Sequence, residues 1–489
     1  MKRALILAFA ALSYFGVNAQ SEEFPLFFSQ YGMNGTAAYI GKAGAIGALG
    51  GDIMAAQYNP AGLGLYRSSE ISFSFGIDAA SSKTTWNNLS AKDNHPTFNY
   101  GNIGMVLDFN NGKSPFRHVQ VSFGVNRLMN FNNRTKVYRN GLSSSFVWDN
   151  VEQQLINDYA NNPNGIFKDD WYQSYVIDFD TTNGQNSISS IFDGGNGDTY
   201  SQIRTFRESG SLDEFSMSLS TNYENWLYLG MTMGIPFGDY TCKTTLTEVI
   251  DQTGDSYTYS QEQRLSATGI NLKLGAIVRP TQWLRLGAAI HTPTWYNVTD
   301  DYYRNVTFVK SAGGWFPTFE YYMQSPWRFM GSAAIILGSS KTLVQGTISA
   351  DYEYADYSFM SYSIDDSPML ENSLNNNIEN MFGGASTLRI GGELRYSNLR
   401  ARVGYANFGN PFKGEDINTS ASEYITCGIG FRGKIFSFDL AYAYGTTNNR
   451  NVYSYDVYDI NADRWYGDDN PAKSDRKHSL IQATFAIRF

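Results

Sequence analysis

The sequence predicts an all-β fold, a 14-stranded antiparallel transmembrane β-barrel with an N-terminal plug in its lumen. Three observations predict it. From Ser69 onward, apolar and polar residues alternate with a period of two over about fourteen segments. The connections between segments are alternately a few residues and roughly ten to eighty residues long, as in an outer-membrane barrel with short turns on one rim and long loops on the other. No window holds the about 18 to 20 consecutive apolar residues that a membrane helix requires.

The composition agrees with this class. Aromatic residues form 15% of the 489 and charged residues 17%, and mean hydropathy is -0.35. Barrel strands hide their apolarity in alternation, so a low mean hydropathy leaves a membrane barrel open. A net charge of -9 provides no basic footprint for nucleic acid.

The first residues read as a secretory signal peptide over 1–19. Lys2 and Arg3 precede an apolar run from Ala4 to Phe15, and Val17-Asn18-Ala19 stands before Gln20. No cysteine follows the run, so no lipoprotein anchor is expected. The plug is expected over 20–68 and the barrel, with long extracellular loops, over 69–489. Within the plug, Gly41 to Leu65 carries seven glycines and an Asn59-Pro60-Ala61 turn. Such a stretch is too short and too glycine-rich to build its own core, and must pack against something else.

The strands follow in order. Ile71, Phe73, Phe75 and Ile77 mark the first. Ile103, Met105 and Leu107 lie within a second segment, Thr97 to Asp108. Val119, Val121, Phe123 and Val125 mark the third, which holds Gly124 and no bulge signature. From Met129 to Ser209 the alternation stops, and a long loop is expected. Trp148, Val151, Leu155 and Tyr159 are spaced as on one face of a helix within it. Tight hairpins then return around Asn222 to Asn225, Arg279 to Gln282, Gly338 to Lys341, Ser397-Asn398 and Arg432 to Lys434. The last strand ends on Phe489, an aromatic terminus typical of chains handed to the outer-membrane insertion machinery. A second outer helix is expected from Leu370, Leu374, Ile378 and Met381.

The strand faces opposite the apolar ones carry Lys273, Arg285, Asp351, Glu353, Arg389, Glu393, Arg395, Arg400, Arg402 and Asp439. In a closed barrel these point into the lumen, where opposite charges can pair or bind the plug.

Other chemistry finds no motif. The glycines around Gly41-Lys42 miss the phosphate-loop and dinucleotide spacings. His95, His118, His291 and His478 are scattered without metal-ligand spacing, so neither metal nor cofactor is expected. No catalytic constellation is legible, so an enzyme is not expected. Cys242 and Cys427, the two cysteines, read as unpaired thiols, with a disulfide left open.

Four stretches resemble the FadL/TodX family of outer-membrane transporters: GGDIMAAQYNPAGLGL, LKLGAIVRPTQWLRLGAAIHTPT, SPWRFMGSAAIILG followed by ISADYEYADYS, and ASTLRIGGELRYSNLRARVGYANFG. The resemblance implies a fourteen-stranded barrel closed by a hatch, with Asn59, Pro60 and Ala61 in that hatch. It implies passive uptake of hydrophobic small molecules, long-chain fatty acids or aromatic hydrocarbons. Hatch movement and a break in the third strand would provide a lateral exit. Trp148, Val151, Leu155, Tyr159, Leu370, Leu374 and Ile378 are then candidates for ligand access; the alternative is that they pack the loops onto the rim. A set of partners follows from the same resemblance: the ligand, outer-membrane lipid and lipopolysaccharide, and the insertion machinery during biogenesis, around a monomer. Two other roles stay open, a docking or shuttle barrel of a secretion system and a haemin receptor.

Overall fold

The computed structural model describes residues 23–489 apart from 111–113, 153–154, 156–162, 181–186, 193–196, 339–341, 366, 414–420, 453–455, 460–463 and 468–470. The expected signal peptide lies outside the described residues.

Fourteen antiparallel strands close on themselves. They are β1 (Glu70–Trp86), β2 (Leu89–Asn110), β3 (Phe116–Asn130, continuing as Asn133–Leu142), β4 (Tyr200–Tyr223), β5 (Leu227–Ile250), β6 (Ser256–Val278) and β7 (Leu284–His291, continuing as Trp295–Thr307). Then come β8 (Phe319–Gln324 and Arg328–Leu337), β9 (Val344–Asp356), β10 (Gly384–Tyr396), β11 (Leu399–Phe408), β12 (Ser422–Arg432), β13 (Phe436–Val452) and β14 (Ala472–Arg488). Closure is made by β1 and β14, paired in one register from Glu70↔Arg488 to Thr85↔Lys473.

The outward residues are the apolar set. Ile71, Phe73, Phe75 and Ile77 on β1, Leu229, Met231 and Met233 on β5, and Ile481, Phe485 and Ile487 on β14 are exposed, forming a belt that only lipid would cover. Inward residues are small, polar or charged, such as Ser72, Ser74 and Asp78 on β1 and Ser349, Asp351 and Glu353 on β9. Hairpin turns on the rim that carries both chain ends of the barrel use left-handed residues: Glu224 and Asn225 between β4 and β5, and Ser397 between β10 and β11, have positive φ. Primed turns of this kind match the twist of the strands they join.

Two expectations are corrected. The region from Met129 to Ser209 is not all loop: Asn133–Leu142 and the start of β4 at Tyr200 are paired strand, from Asn133↔Glu208 to Leu142↔Tyr200. Outer connections are also not all long, since β1 and β2 meet at a two-residue turn, Asn87-Asn88. Both differences have one cause. Above the lipid belt neither strand face must be apolar, so paired strand continues without the alternation that reveals it.

Candidate functional site

Residues 24–66 run through the lumen in turns too short to stand alone: α1 (Phe24–Ser29), α2 (Ala37–Ile40), α3 (Ala55–Tyr58) and a 3-10 turn, Pro60–Leu65. The barrel supplies what they lack. Met33, Tyr39, Ile40, Ile46, Met54 and Tyr58 pack on Ala289, Met330, Ala406, Ala441, Ala443 and Leu480.

Asn59-Pro60-Ala61 is the best-tied part of this segment. Asn59 caps the 3-10 turn, its Oδ1 accepting from Ala61 N at 3.2 Å. Its Nδ2 donates to Gly47 O at 2.7 Å and to Ala276 O on β6 at 3.3 Å. One side chain therefore joins its own turn, the glycine stretch and the wall. A Cβ at Gly275 would collide with Asn59 Oδ1, and one at Gly230 with Pro60, so the motif lies directly on backbone.

Polar side chains of the wall hold the rest. Asp351 Oδ2 accepts from Ile46 N at 2.9 Å and Gly47 N at 2.8 Å. Arg285 donates to Leu49 O at 2.8 Å, and Lys273 to Gln57 Oε1 at 3.0 Å and to Glu214. His291 Nε2 lies 2.8 Å from Tyr58 O. Beside them, Glu353 binds Arg328 at 2.6 Å and Arg389 at 2.9 Å, while Glu393 binds Arg402 at 2.6 Å. Of the lumenal charges expected to pair or bind the N-terminal segment, all but Arg400 do one or the other; Arg400 donates only to Ser397 O and Leu399 O.

The wall parts between β2 and β3. Their pairing runs only from Asn110↔His118 to Asn102↔Asn126. Above it β2 still pairs with β1 up to Leu89, while β3 stays with β4 through an irregularity between Arg127 and Met129. The third strand therefore has a register irregularity that its sequence did not signal. Its upper part turns toward β1, whose Ser82 and Thr84 hydroxyls donate to Arg134 O and Lys136 O.

The N-terminal segment fills the parting. Gly32 N donates to Leu128 O at 2.8 Å, and Asn99 Nδ2 donates to Asn34 Oδ1 at 3.1 Å. Gly101 faces Gly35 O so closely that no Cβ would fit between them. Arg127 is fixed beside this contact by Asp213 at 2.9 Å and by the Tyr100 ring at 4.3 Å. Sequence reasoning passed over Gly32, Asn34 and Asn99; the glycines at 32, 35 and 101 were the available signal, but their closeness is a long-range fact.

Directly behind lies a cavity of about 190 Å³. Leu26, Phe27, Tyr31, Gly32, Met129 and Phe408 line it with Arg328, Glu353 and Arg389. Both arginines are tied to Glu353, and Gln30, Asn410, Ser422, Thr447 and Arg450 add further polar lining beside the aromatic and aliphatic surface.

The expected access residues divide between two clusters. Leu374 and Ile378 are buried on helix α4 (Pro368–Met381) in the cluster that holds Phe24, Leu26 and Phe28, with Leu370 and Met381 partly buried against it. Val151 and Leu155 are buried in a separate outer cluster with Phe146, Trp171 and Tyr257. Trp148 is exposed, in a π-helical turn, Val147–Glu152. Tyr159 lies outside the described residues. The four-residue helical face expected around Trp148 is thus not a single groove surface, because Val151 and Leu155 are spent on packing.

That outer cluster has a buried carboxylate at its base. Glu248, above the lipid belt, accepts from Phe146 N at 3.0 Å, Gln202 Nε2 at 2.6 Å and Tyr257 OH at 3.0 Å. Burial pushes its pKa up to about 7. The folded pKa is raised, so the protonated form stabilises this outer cluster; that stabilisation is complete below the unfolded carboxylate pKa and is lost as pH rises through about 7. Limited proteolysis within 143–199 is expected to be faster at pH 8 than at pH 5 relative to a reference substrate, and Glu248→Gln is expected to flatten that difference. An equal pH response in the variant would count against Glu248 as its source.

These features define a class, a transmembrane β-barrel whose wall parts beside a buried N-terminal segment. The chain shares the fold of FadL and TodX barrels. It is similar to a Pseudomonas aeruginosa FadL homologue (13% identity, 94% of this chain and 100% of that one, TM-score 0.59). It is also similar to the P. putida toluene transporter TodX (10%, 94% and 99%, TM-score 0.54) and the Ralstonia pickettii toluene transporter TbuX (15%, 95% and 100%, TM-score 0.50). No protein-family model and no curated protein matches the sequence.

Proposed function

We propose that this chain is an outer-membrane channel for the passive uptake of hydrophobic small molecules, with residues 20–68 as a hatch. The observation that carries the reading is the stoppered parting: Gly32 to Gly35 fill the gap between β2 and β3 and border the cavity at Gly32 and Met129. A ligand in that cavity lies one backbone layer from the bilayer, so displacing the segment would open a lateral route without an aqueous pore. Asn59, Pro60 and Ala61 form the anchored pivot, since Asn59 bonds both the glycine stretch and β6.

The toluene transporters of the same fold support an apolar cargo, which we read as aromatic hydrocarbons or long-chain fatty acids. The docking alternative draws support from the paired charges around Glu353 and Glu393. The channel reading is preferred because the cavity abuts the parting. Purified protein is expected to bind oleate or an alkylbenzene in competition with each other, and Met129→Trp, which fills the cavity, is expected to weaken both. Binding of haemin alone, unaffected by Met129→Trp, would overturn the assignment.

A further inference from the structure

We propose that a groove on the lipid-facing surface of the wall, across β6, β7 and β8, binds one acyl chain of a membrane lipid in the leaflet away from the rim that carries the barrel's chain ends. Both β7 and β8 break there at one level. His291↔Arg328 is the last pair below the breaks and Trp295↔Gln324 the first above them, with Pro293 and Pro326 between. Against β6 the break is a bulge: β7 takes four steps from His291 to Trp295 where β6 takes three from Lys273 to Ile270. A bulge bends its strand, and proline, which cannot donate to the ladder, is tolerated at such places. At the same height β9 leaves the sheet in a 3-10 turn, Tyr357–Phe359, and the chain rejoins it only as Ser361–Ser363 beside the upper part of β8.

The bend leaves an outward concavity of about 450 Å³. Two rungs of side chains line it, Ile270, Trp295, Gln324 and Ser361 on one and Thr268, Asn297, Tyr322 and Ser363 on the next. Ile270, Trp295 and Tyr322 are half-exposed, and the surface the groove presents is mainly apolar. None of the eight is charged. Trp295 Nε1 donates to Gln324 Oε1 at 3.1 Å, which holds the indole as one wall. The rung between, Gly269, Tyr296 and Met323, forms the floor. Behind it Tyr296 OH donates to Phe28 O at 3.0 Å, so α1 closes the groove from the lumen.

The occupant follows from where the groove lies. Trp295 stands eleven residues beyond Leu284 at the turn between β6 and β7. At about 3.3 Å per residue and a tilt of about 40°, that is roughly 28 Å along the barrel axis, against an apolar band about 25 Å tall. The groove therefore lies at the far margin of the belt and continues it upward from Leu274 and Phe329, both exposed. Lipid covers that belt and reaches the groove without displacing any part of the chain. A concavity left unfilled forfeits dispersion contacts, whereas an acyl chain lying in it touches protein on several sides instead of one. A headgroup phosphate is not the group recognised, because the lining offers it no cation. The site does not depend on what the barrel transports.

The test is photolabelling of the full-length protein in phosphatidylcholine nanodiscs that contain a trace of phosphatidylcholine with a diazirine on one acyl chain. Labelling of 268–270, 295–297 and 322–324 is expected to exceed that of belt segments such as 229–231 and 485–487 by at least about threefold, since packing alone distinguishes the two kinds of site. Thr268→Trp fills the groove from outside and is expected to bring its labelling down to that of the belt. Leu394→Trp, on the outward face of β10, is expected to leave it unchanged. Both replace exposed side chains, and heat-modifiable migration on a gel verifies that each variant is folded. Changing the matrix to phosphatidylglycerol is expected to alter nothing, because the chain and not the headgroup is held. Uniform labelling around the belt, undiminished labelling in folded Thr268→Trp, or labelling that follows the headgroup would overturn the proposal. So would a dimer with the groove protected, which would assign it to a second copy.

Discussion

Deletion of residues 21 to 62 is expected to leave a barrel that still inserts and that now leaks small polar solutes. Each of the fourteen strands has both of its neighbours from the barrel itself, and the N-terminal segment adds no strand to the sheet. The lumenal groups it covers, among them Asp351, Arg285, Lys273 and His291, are polar. Exposed to water in an emptied lumen, they are hydrated instead of orphaned, so their loss of partners costs little. Fourteen strands with no plug enclose a water-filled bore. Swelling of proteoliposomes in a small sugar is expected to accelerate by about tenfold or more over the intact chain. Unchanged permeability would refute the plug.

The second large effect is expected at Glu353. Its carboxylate lies between Arg328 and Arg389, at 2.6 and 2.9 Å, with all three side chains buried. Arg328 in turn donates to Ser29 O and lies over the Tyr31 ring at 4.3 Å, while Arg389 lies over Tyr58 at 5.1 Å. Glu353→Ala leaves two buried guanidiniums without their counter-charge, a change of the kind that costs about 3–5 kcal/mol. Urea unfolding in liposomes is expected to show that loss, and amide exchange over 24–31 to rise as α1 loses its hold. Glu353→Gln retains an acceptor and is expected to cost less. A Glu353→Ala protein as stable as the parent would mean that water already screens this cluster.

The sequence and the fold agree wherever lipid imposes a rule. Ile71, Phe73, Phe75 and Ile77 must all face the bilayer, so their spacing alone places β1. Ser81 to Trp86 on the same strand are under no such rule, and the strand's full length was invisible. Asp351 was legible as a lumenal charge, because it alternates with Ala350 and Tyr352, but nothing local names Ile46 and Gly47 as its partners. The parting between β2 and β3 was unreadable for the same reason. It depends on the irregularity at Arg127 to Met129 and on Gly32 meeting Leu128, a contact about a hundred residues apart in the chain. For Val151 and Leu155, helical spacing is common to a groove and to packing, and burial decided for packing. Asn59-Pro60-Ala61 was readable through resemblance, whereas the glycines at 230 and 275 that receive it became meaningful only in three dimensions.

The most direct measurement locks the stopper in place. Asn34→Cys with Asn99→Cys, in a background where Cys242 and Cys427 are replaced by Ser, puts a bridge where the two amides now lie 3.1 Å apart. Uptake of radiolabelled oleate and of toluene by vesicles carrying this protein is then followed before and after oxidation. Uptake that stops on oxidation and returns on reduction, with the barrel still folded, is the expected result. Uptake that continues unchanged through the bridged protein would contradict a route past Gly32 to Gly35.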